Sequence, residues 1–152
     1  MLVYRIGRTR FAHDLTGEGA RLFGGRWNHK LIPCIYTSES RALALLEYTA
    51  NVNIEDIPRA LSITKFEIPN DQIYEIPITE LPGNWTQAPA PSSTKAFGST
   101  ILERNEYLVI KIASAIVPDE FNFLINPKHR LNSSIEILEV TDFIYDVRLK
   151  LK

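Results

Sequence analysis

The chain opens on a short apolar run, Leu2 to Ile6, that suits a β-strand, and then turns polar and glycine-rich as far as Gly25. From Leu31 to Thr37 apolar and β-branched residues dominate again. This predicts a second strand, ending at Ser38 or Ser40, both good helix N-caps. The period then changes. Between Glu39 and Val52 the apolar residues fall at helical spacing, with Ala42, Leu43, Leu45, Leu46 and Ala50 gathering on one face. Glu47 stands at the edge of that face, about 40° beyond Leu43 at roughly 100° per residue.

Beyond the helix, strand-like runs at Ala60 to Ile68 and Ile73 to Ile78 are punctuated by Pro69, Pro77 and Pro82. Gly83 to Pro91 is a loop by composition. Ser92 is placed to cap a helix running to Arg104, although Gly98 inside it weakens that helix by roughly 1 kcal/mol relative to alanine. Tyr107 to Ala113 alternates as a strand, and Phe121 to Pro127, Ile135 to Val140 and Phe143 to Leu149 supply further strand candidates. No internal repeat or low-complexity linker divides the chain. Residues 1–152 are therefore expected to form a single compact α+β domain with a mixed sheet core, containing about six to eight strands and two or three helices.

Composition narrows the function classes. With 45% apolar and 23% charged residues among 152, the chain has the makeup of an ordinary folded domain. A net charge of -1, from 17 basic and 18 acidic side chains, gives no global field for nucleic acid or an acidic membrane, so no direct binding to either is expected. Cys34 is alone and the three histidines, His13, His29 and His129, are scattered, which predicts neither a disulfide nor a metal site. No apolar stretch approaches the roughly 18 residues of a membrane span, and a cytoplasmic protein is the expectation. The Gly17-Glu18-Gly19 segment lacks the third glycine and the strand-to-helix context of a dinucleotide fingerprint.

Candidate chemistry centres on Gly24-Gly25-Arg26-Trp27-Asn28, Tyr36 and Glu47, which set a guanidinium, a phenol and a carboxylate at intervals of ten and eleven residues. These are group types suited to holding a phosphorylated, cationic substrate. Among other polar or reactive residues, Asn122, Asn126 and Pro127 read as turn formers that satisfy buried backbone, with a polar contribution to the cleft as the alternative. The histidines read as surface or structural, Cys34 as buried in its strand, and Trp85 as packing.

Several blocks, in order along nearly the whole chain, resemble the RES-domain proteins. They are Leu15-x-Gly17-x-Gly19-Ala20, Gly24-Gly25-Arg26-Trp27-Asn28, Tyr36-Thr37-Ser38-Glu39-Ser40, Ala44-Leu45-Leu46-Glu47, the run from Ser114 to His129, and Phe143-x-x-Asp146-x-Arg148-Leu149. The chain departs from the family pattern at His29-Lys30-Leu31-Ile32, where a glycine is usual, and at Ile112-Ala113, where Val-Pro is common. The resemblance implies a fold similar to ADP-ribosyltransferases and the toxin of a type II toxin-antitoxin pair, one that consumes NAD+ as substrate and is held inactive by an Xre-type antitoxin. It makes Arg26, Tyr36, Glu47 and Ser114 the site residues, with no cofactor and no metal.

Cleavage of the nicotinamide-ribose bond builds positive charge on the ribose, and a fixed carboxylate at Glu47 complements it. Arg26 suits phosphate or ribose oxygens, a contact worth about 1.5–3 kcal/mol. Tyr36 is placed either to stack on nicotinamide or to hydrogen-bond near Glu47. Ser114, with no His/Asp partners in a triad order, reads as an orienting donor. Water as acceptor makes a glycohydrolase, inorganic phosphate a phosphorylase, and a protein side chain an ADP-ribosyltransferase. A non-catalytic module that binds an antitoxin is the reading of another class.

Overall fold

Two apolar ladders run across one sheet, and their alternation decides which side chains meet. The computed structural model describes residues 1–150. Its strands are β1 (Leu2–Arg8), β2 (Ile35–Ser38), β3 (Leu61–Glu67), β4 (Ile73–Glu75), β5 (Val109–Ala113), β6 (Phe121–Ile125) and β7 (Glu136–Phe143), in the spatial order β4-β5-β6-β2-β1-β3-β7. All neighbours are antiparallel except β4 and β5, so the sheet is mixed. The register places Ile35 opposite Ile125 and Ile125 opposite Val109, while one residue along Tyr36 faces Leu124 and Leu124 faces Ile110. Because successive side chains point to opposite faces, the first ladder belongs to one side of the sheet and the second to the other.

On the first side, Val3, Ile35, Phe66, Val109, Phe123 and Ile125 form a core with Ile68, Leu108 and Ile135. Phe66 and Phe123 are essentially inaccessible, and each such side chain contributes about 1.5–3 kcal/mol relative to exposure. On the second side, Trp27, Cys34, Ile110, Ile112, Leu124, Ile76, Leu81 and Leu102 close a second core beneath helix α3 (Ser92–Arg104). Helix α2 (Arg41–Asn51) lies on β1 and β2, and a short α1 (Glu18–Phe23) precedes the Gly24–Asn28 segment. Among the described residues no helix is long and apolar enough to cross a membrane.

One seam of the sheet is nearly open. β1 pairs with β3 along its full length, from Leu2–Glu67 to Arg8–Leu61, yet meets β2 only at Tyr4–Ser38. Beyond that pair the two strands diverge, leaving the β1-facing edge of Tyr36 without a strand partner. Tyr36 and Ser38 are thus carried by the middle strand of seven, at the place where the sheet divides into two halves.

The expected α+β architecture is present, with seven strands and three helices among the described residues, but several boundaries move. The Leu31–Thr37 run does not begin as a strand. Leu31 adopts a left-handed φ of 78° and β2 starts only at Ile35, after a bend in which Gly17 lies against the Cys34 backbone. The expected strand at Phe143 to Leu149 is absent because the ladder of β3 ends at Leu61–Phe143. Val147–Leu149 instead forms a 3-10 turn capped by the Asp146 side chain. After Pro77 the Ile73–Ile78 run becomes a 3-10 turn at Ile78–Glu80. Ser92 is the first residue of α3 rather than its cap, a place taken by Pro91.

Helix α2 is rotated from the expected orientation. Ser40 caps it as anticipated, accepting the Leu43 N–H at 3.0 Å. The side facing the sheet is Leu43 and Ala44, while Ala42, Leu46 and Ala50 are exposed. Contact with a narrow strip of sheet needs few large apolar groups. Glu47, one turn after Leu43, therefore lies on the sheet-facing side.

Candidate active site

The carboxylate of Glu47 is held at one oxygen by two donors. Ser114 Oγ donates to Oε1 at 2.8 Å, and Asn122 Nδ2 donates to the same atom at 2.7 Å. Oε2 has no hydrogen-bond partner among the described residues. One oxygen is immobilised and the other is left to meet a ligand. Hydrogen bonds to a charged acceptor are worth about 1.5–3 kcal/mol each, so this pair fixes both the rotamer of Glu47 and the direction of its open oxygen.

Sheet register brings these donors together. Ser38 on β2 faces Asn122 on β6, and Asn122 faces Ile112 on β5. Ser114 lies two residues beyond Ile112, just past the end of β5. Its backbone N–H bonds to Glu120 O at 2.9 Å, closing the turn between β5 and β6. The Ser114 hydroxyl also accepts the N–H groups of Ile116 and Val117, both at 3.1 Å. Two backbone donors occupy its lone pairs and its one proton goes to Glu47. Such a serine is an orienting group, because both lone pairs of its oxygen are held by backbone donors and neither is free to attack.

The Tyr36 hydroxyl makes no hydrogen bond to Glu47. It donates to Asn28 Oδ1 at 2.6 Å and accepts the Trp27 N–H at 2.9 Å, so its polar contacts are with the Arg26 segment. Asn28 is fully buried, and its amide donates to Ala20, His29 and Ile32 carbonyls. Burial pushes the Tyr36 phenol well above its ordinary pKa, outweighing the nearby Arg26 cation that acts in the opposite direction. The Gly24–Asn28 segment wraps this phenol closely. A Cβ on Gly25 would lie 2.6 Å from the Tyr36 hydroxyl oxygen, and Gly24 takes a φ of 71° that favours glycine.

Arg26 is anchored by half of its guanidinium. Nη1 donates to Trp85 O at 2.9 Å and to Gln87 O at 2.6 Å, tying the Gly83–Pro91 loop to the glycine-rich segment. Among the described residues Nε and Nη2 have no hydrogen-bond partner, and no carboxylate forms an ion pair with Arg26. A cation held in this way keeps a free edge for an anionic ligand.

The structure thus places Glu47 with Ser114, and Tyr36 with the Arg26 segment. Tyr36 and Ser38, two residues apart on one face of β2, link the groups. Asn122 makes the polar contact that the sequence reading held as the alternative to turn formation, and Ser38, read only as a helix cap, binds it. The signal available was positional: Asn122 follows Ser114 by eight residues, the distance of a β5–β6 hairpin that returns to the same face. Asn126, Cys34, His129 and Trp85 keep structural roles. Asn126 donates to Leu102 O at the end of α3. Cys34 is buried one residue before β2, with its thiol pKa raised by that burial. His129 Nδ1 accepts the Leu131 N–H, and Trp85 packs on the second core. A cavity of about 480 Å³ between α3 and Tyr74 lies apart from Glu47.

Comparison with known proteins places this geometry in a family. The RES domain model matches residues 2–147. Toxin Res of Yersinia enterocolitica is 34% identical over 152 residues, covering 99% of this chain and all of that protein. The Prs ADP-ribosylating toxin of a Sphingobium species is 34% identical over 145 residues, covering 93% and 90%. Toxin Res of Pseudomonas putida is 32% identical over 151 residues, covering 98% and 99%. A chain of the M. tuberculosis MbcT-MbcA toxin-antitoxin complex superposes with a TM-score of 0.75 at 16% identity, covering 93% of this chain and 83% of that one, which supports the fold. The chain belongs to the RES-domain family.

Proposed function

We propose that this protein is the toxin of a toxin-antitoxin pair and that it cleaves the nicotinamide-ribose bond of NAD+. The observation that carries this reading is the Glu47 carboxylate, clamped at Oε1 by Ser114 and Asn122 with Oε2 open. As neutral nicotinamide departs, positive charge grows on the ribose. A carboxylate already fixed by two donors stabilises that charge without having to reorient. The open oxygen is suited to accept a ribose hydroxyl, and the free edge of Arg26 suits the diphosphate. Tyr36 shapes the glycine-rich wall that carries Arg26. Water or inorganic phosphate completes the reaction by attacking the ribose carbon, giving ADP-ribose or its 1-phosphate.

Transfer to a protein side chain is the second reading. It is favoured by the relative named as a Prs ADP-ribosylating toxin, and it shares the same bond cleavage. The toxin role draws on the relatives named Toxin Res. The MbcT-MbcA complex makes an antitoxin, here expected to be of Xre type, the natural partner.

Purified protein incubated with NAD+ is expected to release nicotinamide, with product analysis in the presence and absence of phosphate identifying the acceptor. Glu47→Gln keeps the size of the side chain and removes its charge, and is expected to lower release at least about 10²-fold. No release by the unaltered protein, under either condition or with cellular protein added, would falsify bond cleavage. Radiolabel from the adenylate half accumulating on a protein would select the transferase.

A further inference from the structure

The Asn122 donor that clamps Glu47 is itself held from behind, by Ser38, in one hydrogen-bonded line ending at the carboxylate. Asn122 donates to Glu47 Oε1 at 2.7 Å, but a carboxamide turned by 180° would offer its oxygen to that carboxylate and repel it. Glu47, an acceptor only, therefore selects the Nδ2 end, and Ser38 holds the other end of the amide. Its hydroxyl donates to Asn122 Oδ1 at 2.7 Å and makes no other hydrogen bond among the described residues. Ser38 is 4% exposed, so water does not substitute readily. The line is fixed by the fold, because Ser38 and Asn122 are cross-strand partners on β2 and β6 and face the same side of the sheet.

We infer that Asn122 and Ser38 are positioning residues for NAD+ cleavage: Asn122 fixes Glu47 Oε1, and Ser38 holds the far end of the Asn122 amide in place. This rests on the reading of Glu47 given above. Neither residue need touch substrate. Their effect appears in turnover more than in binding, because the substrate-gripping edge of Arg26 is unaffected.

The test measures nicotinamide release by Asn122→Ala, Ser38→Ala, their double variant and Asn122→Asp, with circular dichroism and thermal midpoints recorded for each. Asn122→Ala is expected to lower kcat about 10- to 100-fold with KM within about 3-fold. Ser38→Ala is expected to lower it less, and the double variant no more than Asn122→Ala, since Ser38 acts through the amide. Asn122→Asp puts a second carboxylate against Glu47. Two such groups share a proton, so the acid limb of the pH–rate profile moves to higher pH. A purely structural loss lowers the folded fraction without moving that limb. Active unaltered protein combined with normal kcat in Asn122→Ala, multiplicative effects in the double variant, or an unmoved limb in Asn122→Asp overturns the inference. Inactive unaltered protein instead overturns the reading of function on which it rests.

Discussion

Gly98 of α3 lies flush against the backbone of Trp27, so close that a Cβ at position 98 would fall 2.0 Å from the Trp27 carbonyl oxygen and 2.7 Å from its carbonyl carbon. Helix propensity alone makes Gly98→Ala a gain of about 1 kcal/mol. The contact reverses that sign. Overpacking costs about 1–3 kcal/mol, and the obstacle here is backbone that cannot rotate away. With backbone as the obstacle the cost lies at the upper end of that range, so the expected net loss is about 2 kcal/mol, or roughly 4–8 °C in thermal midpoint for a chain of this size. Since Trp27 follows Arg26, nicotinamide release should fall as well. A stabilised Gly98→Ala protein would show that the two segments are not in contact.

Tyr36→Phe removes one oxygen and leaves two buried groups, the Trp27 N–H and Asn28 Oδ1, without their partner. Each unmet group costs about 1–3 kcal/mol, and urea unfolding at pH 8 should register a loss in that range or above. The pH dependence carries a further signature. Burial raises the folded-state pKa of Tyr36 above that of the unfolded chain. Its contribution is thus complete below about pH 10, the unfolded value, and is lost as pH rises through the folded one. The stability gap between unaltered protein and Tyr36→Phe is expected to narrow above about pH 10. A gap that is constant up to pH 11 would mean that the phenol is solvated.

How legible these relationships are in the sequence depends on their range. The helix over Arg41–Asn51 and its Ser40 cap could be read from local period, as could the strands containing Phe66 and Phe123. What periodicity misjudged was the rotation of α2, because Leu46 looks like core until the narrow strip of sheet beneath the helix is known. Gly98 read as a helix defect for the same reason: its partner, Trp27, is 71 residues away in sequence. Arg26, Tyr36, Glu47 and Ser114 are candidates singled out through ordered motif blocks. Asn122 and Ser38 became visible only when register set them opposite each other. The strand expected at Phe143 to Leu149 failed on an edge: alternation makes a strand only where a neighbour supplies the ladder, and β3 ends at Leu61.

Ser114→Ala separates an orienting serine from a nucleophile. Its loss leaves Glu47 with the Asn122 donor alone and frees the Ile116 and Val117 N–H groups. A drop in kcat of about 10- to 100-fold is expected, as for removal of one preorganised contact. Intact mass spectrometry of unaltered protein quenched during turnover should show no ADP-ribose on Ser114. A covalent adduct at that residue would make it the nucleophile and require a different account of where its proton goes.

Cys34 offers a check on the second core. Burial at 2% exposure and a thiol pKa raised by desolvation both oppose formation of the reactive thiolate. Native protein at pH 8 is therefore expected to resist an aromatic disulfide reagent for hours, whereas protein in concentrated urea reacts at once. Rapid labelling under native conditions would mean that the bend before β2 opens readily.

Arg26→Lys tests whether one guanidinium does two tasks. In the folded protein Nη1 alone binds the Trp85 and Gln87 carbonyls, and Nε and Nη2 stay available on the other edge. An ammonium keeps the charge but has no second edge. It is a compact donor that can satisfy the loop or a phosphate, with neither held in a planar fork. If Arg26 only supplied charge, Lys would preserve kcat/KM. If it joins loop and substrate, Arg26→Lys should lower kcat/KM for NAD+ by about 10- to 100-fold, equivalent to about 1.4–2.8 kcal/mol. Limited proteolysis gives an independent measure, because a released Gly83–Pro91 loop should be cut faster. A fall in kcat/KM with unchanged cleavage of the loop would assign the loss to the substrate-facing edge alone. Unchanged kcat/KM would remove Arg26 from the proposed site.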